Sequence, residues 1–389
     1  TACMNRDVAA FFTKWVRDVN DGQHKGSYRD VAPTVPALRD IGAPAWGDAG
    51  VNVPMALYEC YADRQLLEES FPYMERWIDY LLRNNPDLLW KNARGNDFGD
   101  WLSIGDESDK EVLATAFFAR STDQVSEAAT ILGRAVEAKK YAALAGRIRQ
   151  AFVAAYVDPE TGAIRSGTQT LYALALRFGL LPENLAAKAG RQLTANIKRH
   201  GTHLSTGFVG VSHLLPALSQ IGRDDVAFSL LNQTTYPSWL YSVTQGATTI
   251  WERWNGWTRH DGFHDPSMNS FNHYSFGSVG AWMYSNITGL QPTAPGWKRI
   301  GVQPKPQGGV DHASARMKTP YGTLVSRWSR KQDRFVLNVE IPVNTTAEIV
   351  VPGQSARGKN AVFQVGSGKW TFKSHLLPGD VAATAQSKH

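Results

Sequence analysis

The hydrophobic period of this chain changes once, at Pro292-Thr293-Ala294-Pro295-Gly296, from about 3.6 residues to 2. Before that point apolar residues recur at helical spacing, as Val8, Phe11, Phe12, Trp15 and Val19 do. The spacing predicts helices over 6–20, 53–62, 66–84, 110–132, 137–156, 168–178, 184–199, 209–221, 224–232 and 274–287, with Gly289 as the last C-cap. Amphipathic helices joined by short links pack as antiparallel hairpins. A closed double ring of such hairpins, the (α/α)6 toroid, takes twelve helices, and about ten are legible. From Lys298 onward the alternating runs 323–328, 335–341, 347–351, 361–365 and 370–373, bounded by Gly, Pro or Asn, predict an antiparallel β-sandwich. The expected domains are therefore 1–291, a helical barrel incomplete at its N-terminus, and 292–389, a β-sandwich. The chain opens on Thr1-Ala2-Cys3-Met4 without an initiator Met or an apolar leader, which reads as an internal or trimmed start.

The 389 residues, 43% of them hydrophobic, suffice for a large core, and no run of about 18 apolar residues predicts a membrane span. The net charge of +6 is scattered among acids apart from 327–334, which argues against a nucleic-acid stripe. Cys3 and Cys60 lie far apart on predicted helices and read as free thiols. They leave the compartment open between cytoplasm and periplasm. The informative count is 13 Trp, several beside acids or glycines, as in Ala45-Trp46-Gly47-Asp48 and Gly99-Asp100-Trp101. Aromatic platforms interleaved with carboxylates favour a carbohydrate cleft over a greasy pocket.

Two long aperiodic loops, 21–50 and 85–109, carry those motifs, and loops of that length in compact domains are usually functional. A third stretch, 236–276, holds Gln245-Gly246-Ala247-Thr248-Thr249 followed by Trp251-Glu252-Arg253-Trp254 and Trp257. A carboxylate among indoles loses water and is pushed towards a higher pKa, which suits a base or acid working near neutral pH. The bland alternative makes Glu252 a core carboxylate paired to Arg253 or Arg316. Asp106, Glu107 and Asp109 precede the helix at 110–132 and first of all favour its N-terminal dipole, whereas Asp100, between Gly99 and Trp101, is less easily explained so. Candidate catalytic residues are Glu252 and His273; candidate substrate-binding residues are Trp46, Asp48, Asp100, Trp101, Trp251 and Trp254.

These motifs resemble the family 78 glycoside hydrolases, the bacterial α-L-rhamnosidases. The matching runs are Trp46-Gly47-Asp48-Ala49, Gly99-Asp100-Trp101-Leu102, Gly207-Phe208-Val209-Gly210, Tyr236-Pro237-Ser238-Trp239-Leu240-Tyr241, Gly246-Ala247-Thr248-Thr249-Ile250-Trp251-Glu252-Arg253-Trp254 and Ser270-Phe271-Asn272-His273-Tyr274, in order across nearly all of 1–290. The resemblance implies an (α/α)6 catalytic barrel with a C-terminal β-sandwich, releasing terminal α-L-rhamnose with inversion and without a cofactor. It makes Glu252 the general base, His273 a sugar contact and Trp46 an aromatic wall of the rhamnose pocket. It also places the general acid in a Cys-Pro-x-Arg-x-Glu-Arg type segment upstream of the first helix. No such segment occurs here, so the acid is expected outside these residues, with Asp100, Asp106 or Glu107 as substitutes. The expected partner is a rhamnose-containing glycoside, with further domains upstream; nucleic acid and membrane are not expected, and a homodimer stays open.

Other classes share part of this pattern. A different inverting (α/α)6 glycosidase or phosphorylase has the same geometry, and a sugar-binding protein without catalysis keeps the tryptophans. His260, Asp261, His264 and Asp265 have metal-ligating chemistry, but Gly262 and Pro266 put them on a loop, and no metal is expected. No Gly-x-Ser-x-Gly elbow or Walker-type loop is present, which counts against esterase and nucleotide chemistry.

Overall fold

The computed structural model describes residues 1–35, 41–353 and 360–377. The helices run α1 (Ala2–Asn5), α2 (Ala9–Asp21), α3 (Ala49–Tyr61), α4 (Arg64–Asn84), α5 (Lys110–Leu132), α6 (Ala135–Tyr156), α7 (Gln169–Arg177), α8 (Glu183–Arg199), α9 (Phe208–Gln220), α10 (Asp224–Leu231) and α11 (Trp239–Thr244). Their contacts fall into two compact units, one of Ala10–Ala56 with Arg64–Phe276, the other of Thr1–Ala9, Leu57–Asp63 and Gly277 onward.

In the first unit α5 packs on α4 and α6, α7 on α8 and α9, and α9 on α10. The start of α5 follows from local chemistry: Asp109 Oδ1 accepts the N–H groups of Glu111 at 2.9 Å and Val112 at 3.1 Å. Gly133, with φ 78°, ends it in the left-handed region. The loops that precede α5, α7 and α9 are tied together at one end of the hairpins. The Ile104 N–H donates to Ser205 O at 2.9 Å, that of Phe208 to Trp101 O at 2.8 Å, and the Ser108 and Thr168 hydroxyls meet at 2.8 Å. The periodicity did not predict α11, which is only six residues long, capped by Ser238 Oγ accepting the Tyr241 N–H at 3.1 Å.

The single helix expected over 274–287 is broken into a 3-10 turn (Ser275–Ser278), α12 (Val279–Trp282) and a π turn (Met283–Ile287). Polar side chains compete with the backbone ladder here: Asn286 Nδ2 donates to Trp282 O at 3.3 Å and Thr288 Oγ1 to Tyr284 O at 2.8 Å.

A two-strand hairpin, β1 (Trp257–Thr258) with β2 (Gly262–Phe263), belongs to the first unit. The second unit holds β3 (Leu290–Pro292), β4 (Arg299–Val302), β5 (His312–Thr319), β6 (Gly322–Lys331), β7 (Arg334–Ile341), β8 (Thr346–Val351), β9 (Ala361–Val365) and β10 (Gly368–His375), in sheets of order β10-β7-β6-β5 and β3-β4-β8-β9. Alternation decides which face is buried: Phe335, Leu337, Val339 and Ile341 point inward from β7, and Leu324, Ser326 and Trp328 from β6. One pair departs from the antiparallel expectation, since β4 and β8 run parallel from Arg299↔Thr346 to Val302↔Ile349.

Candidate active site

A cavity of about 960 Å³ opens in the first unit, lined from the loops by Asp30, Trp46, Phe98, Trp101, Glu252 and His273 and from the helices by Phe117, Arg120, Gln124 and His213. That size takes a ligand larger than one sugar ring. Four of the sequence candidates, Trp46, Trp101, Glu252 and His273, share its wall.

Two strips of backbone position Glu252. Its N–H donates to Ser270 O at 2.9 Å, and the Ser270 N–H donates back to Glu252 Oε2 at 2.8 Å. The His273 N–H reaches Ile250 O at 2.8 Å, and Thr249 Oγ1 reaches Phe271 O at 2.5 Å. Arg253 turns away, its Nε donating to Met268 O at 2.9 Å, and Arg316 is exposed on β5. Among the described residues no cation pairs with the half-buried Glu252 carboxylate, and only the Ser270 N–H donates to it. A core carboxylate locked to arginine is therefore not what the fold builds. His273 Nδ1 accepts the Ser275 N–H at 3.3 Å, so a neutral ring carries its proton on Nε2. The imidazole stacks on Phe208 at 4.8 Å.

The aromatic wall is a chain of rings. Trp46 lies 4.8 Å from Phe98, and Phe98 lies 6.0 Å edge-on from Trp101, which is 38% exposed. Phe98 carried no signal in the sequence beyond its place before Gly99-Asp100.

The other four candidates do not line this cavity. Asp48 is fully buried, its carboxylate accepting from Ala45 N at 2.8 Å, Trp77 Nε1 at 3.1 Å and Ser121 Oγ at 2.6 Å. Asp100 accepts from the N–H groups of Gly207 at 2.7 Å, Val209 at 2.9 Å and Gly210 at 3.0 Å, and from the Thr170 hydroxyl. Burial pushes both carboxyls above their ordinary range, while those donors pull the other way. Each acid anchors the loop that carries its neighbouring Trp. Trp251 packs edge-on to Phe271 at 5.2 Å, and Trp254 stacks on Phe276 at 3.8 Å, both buried. They pin the turn that presents Glu252.

None of the alternative acids lines the wall: Asp100 is the buried anchor just described, Asp106 meets His200 Nε2 at 3.3 Å, and Glu107 is exposed outside it, while Asp109 caps α5. His260 and Asp261 pair with each other at 2.5 Å on the exposed hairpin turn, and among the described residues no group of three or more His, Cys, Asp or Glu could hold a metal.

Comparison with known proteins bears on this cavity. Residues 1–287 match the family described as the bacterial alpha-L-rhamnosidase 6 hairpin glycosidase domain, and residues 289–365 the bacterial alpha-L-rhamnosidase C-terminal domain. An alpha-L-rhamnosidase of Streptomyces avermitilis is 43% identical over 386 residues, covering 96% of this chain and 37% of that protein. One from Formosa agariphila is 38% identical over 363 residues, 90% of this chain and 38% of its own length. The crystal structure of the Streptomyces avermitilis enzyme complexed with L-rhamnose superposes with a TM-score of 0.89 at 42% identity, over 94% of this chain and 36% of that one. That of the native enzyme from Aspergillus terreus gives 0.87 at 34%, over 95% and 43%. The chain thus spans between a third and a half of the length of these relatives.

Proposed function

The chain belongs to the bacterial α-L-rhamnosidases of the six-hairpin glycosidase type, and we propose that it carries the general base of a hydrolase that releases terminal α-L-rhamnose with inversion. The observation that carries this is Glu252, a half-buried carboxylate on the wall of an aromatic-lined cavity, steadied by one backbone N–H and by no cation among the described residues. In an inverting hydrolysis one carboxylate takes a proton from water while the water attacks the anomeric carbon, and a carboxylic acid on the other side protonates the departing oxygen. Glu252 takes the first role. His273 donates from Nε2 to the water or to a rhamnose hydroxyl, and Trp46 and Trp101 cover the sugar faces.

Of the two carboxylates that line the wall among the described residues, Glu252 is the base and Asp30 accepts the Ala43 N–H at 2.6 Å. Since the Cys-Pro-x-Arg-x-Glu-Arg type segment is not among the 389 residues, the acid is assigned to polypeptide outside them. The domain division proposed is 1–291 for the catalytic barrel and 292–389 for the C-terminal domain, at the change of period.

p-Nitrophenyl α-L-rhamnoside tests the base, because its leaving group departs without help from an acid. Glu252→Gln keeps the shape and the acceptor for the Ser270 N–H but cannot take a proton. Turnover should fall by about 10²–10⁴-fold, with β-L-rhamnose as the first anomer seen by NMR in the parent. A variant within a few-fold of the parent removes Glu252 as the base, and α-L-rhamnose appearing first removes inversion.

A further inference from the structure

Part of the cavity wall is unlike the rest. On α5, Phe117, Arg120 and Gln124 stand at i, i+3 and i+7, on one helix face, and all three line the cavity with Arg177, Phe178 and His213. Phe178 is the hub: Phe117 meets its ring edge-on at 5.3 Å, His213 at 5.0 Å, and the Arg120 guanidinium lies 5.9 Å from its centroid. Arg120 is half-buried, and among the described residues it makes no hydrogen bond or ion pair. Five N–H donors in a planar fork are thus turned to the cavity without an acceptor, in a geometry that matches a carboxylate. Gln124 is 5% exposed, and its Oε1 is buried without a hydrogen-bond partner. An orphan amide of that kind wants a hydroxyl.

His213 adds no third cation. Burial, then the positive charges of Arg177 and Arg120, hold its pKa down at about 3. It stays a neutral imidazole that can donate from one nitrogen and accept at the other. The wall therefore combines a fixed positive charge, a hydroxyl partner and aromatic edges, the set needed by an acidic sugar.

We propose that Arg120, Arg177, Gln124 and His213 form a subsite for a sugar carboxylate, which directs the cavity to rhamnosides whose neighbouring residue is a uronic acid. This rests on the rhamnosidase reading of the cavity, but its first test does not need catalysis. Titrating the full chain calorimetrically with sodium D-glucuronate and with D-glucose, which lacks the carboxylate, should show the uronate bound at least tenfold more tightly. Raising NaCl from about 50 to about 500 mM should erase most of that difference, because a guanidinium–carboxylate contact in an open cavity is screened.

Arg120→Gln should weaken D-glucuronate at least tenfold, and Arg120→Lys, which keeps the charge without the fork, should fall between, with melting curves reporting the fold of each. Equal affinity for the two sugars, or unchanged uronate binding in a folded Arg120→Gln, overturns the subsite. If Arg120→Gln does not fold, the salt arm on the parent chain decides. A parallel titration with L-rhamnose separates the two readings: no rhamnose binding counts against the rhamnosidase assignment, whereas the uronate arm alone judges the carboxylate subsite.

Discussion

Asp100 shows how one residue type can carry two readings in sequence and only one in space. Set between Gly99 and Trp101, it looked like a sugar ligand; in the fold it gathers three backbone N–H groups at the start of α9 and the Thr170 hydroxyl of α7. Asp100→Asn would turn an amide donor towards groups that are themselves donors. Leaving them unpaired in a buried place should cost about 2–3 kcal/mol, read as a lower denaturation midpoint in urea at constant slope. A change under about 0.5 kcal/mol would show that the carboxylate is not the anchor described. The same distinction explains what the sequence made legible. Glu252, His273, Trp46 and Trp101 sit in loops with no period to satisfy, so their chemistry had nothing else to explain it. Asp48, Trp251 and Trp254 sit in loops too, but which way a loop side chain turns depends on donors and rings far along the chain, such as Ser121 for Asp48 and Phe276 for Trp254. Arg120, Gln124 and His213 were missed for the opposite reason. On long helices their spacing reads as part of an amphipathic pattern and hides a wall.

At the level of elements, the helices from 66–84 to 224–232 were placed within a residue or two and 110–132 to the residue, whereas the starts of the first two, expected at 6 and 53, fall at Ala9 and Ala49. What failed were short or interrupted pieces. The six residues of α11 cannot show a period, and β5 carries small and charged residues, Ala313, Ser314, Ala315, Arg316, where the pattern asks for branched apolar ones. The junction between α9 and the 85–109 loop depends on a glycine for space and not for its dihedral: a Cβ on Gly207 would lie 2.2 Å from Trp101 O and 2.5 Å from Asp100 O. Gly207→Ala must push that loop away, and with it the indole of Trp101 on the cavity wall. The expected result is a loss of about 1–3 kcal/mol in stability, together with a KM for p-nitrophenyl α-L-rhamnoside raised several-fold. A variant with parental melting temperature and KM would mean the loop has room that the structure does not show.

At the scale of the whole chain, the period change at 292–296 locates where element type switches, but it says nothing of which distant segments pack together. The second unit takes in Thr1–Ala9 and Leu57–Asp63 along with everything from Gly277. Inside it Thr1 Oγ1 donates to Ser278 O at 3.2 Å, Tyr284 OH to Asn5 Oδ1 at 3.1 Å, and the Val8 N–H to Tyr61 OH at 3.0 Å. Hydrogen bonds of this kind between segments remote in sequence leave no trace in periodicity, so the two cysteines read as unrelated thiols. They are both free, and each shifts the titration of the other. Two neighbouring thiols do not titrate alike: the interaction with Cys60 holds Cys3 below the ordinary thiol range, and the same interaction, with burial, pushes Cys60 above it. Because the thiolate is the nucleophile, Cys3 should be alkylated by iodoacetamide at pH 7 roughly tenfold faster than Cys60. Cys60→Ala removes that influence and should return the Cys3 rate towards that of an ordinary thiol. Peptide mapping by mass spectrometry after timed quenching follows both sites at once. Equal rates at Cys3 and Cys60, or a Cys3 rate indifferent to Cys60→Ala, would mean that the first helix does not rest against the end of α3 as described.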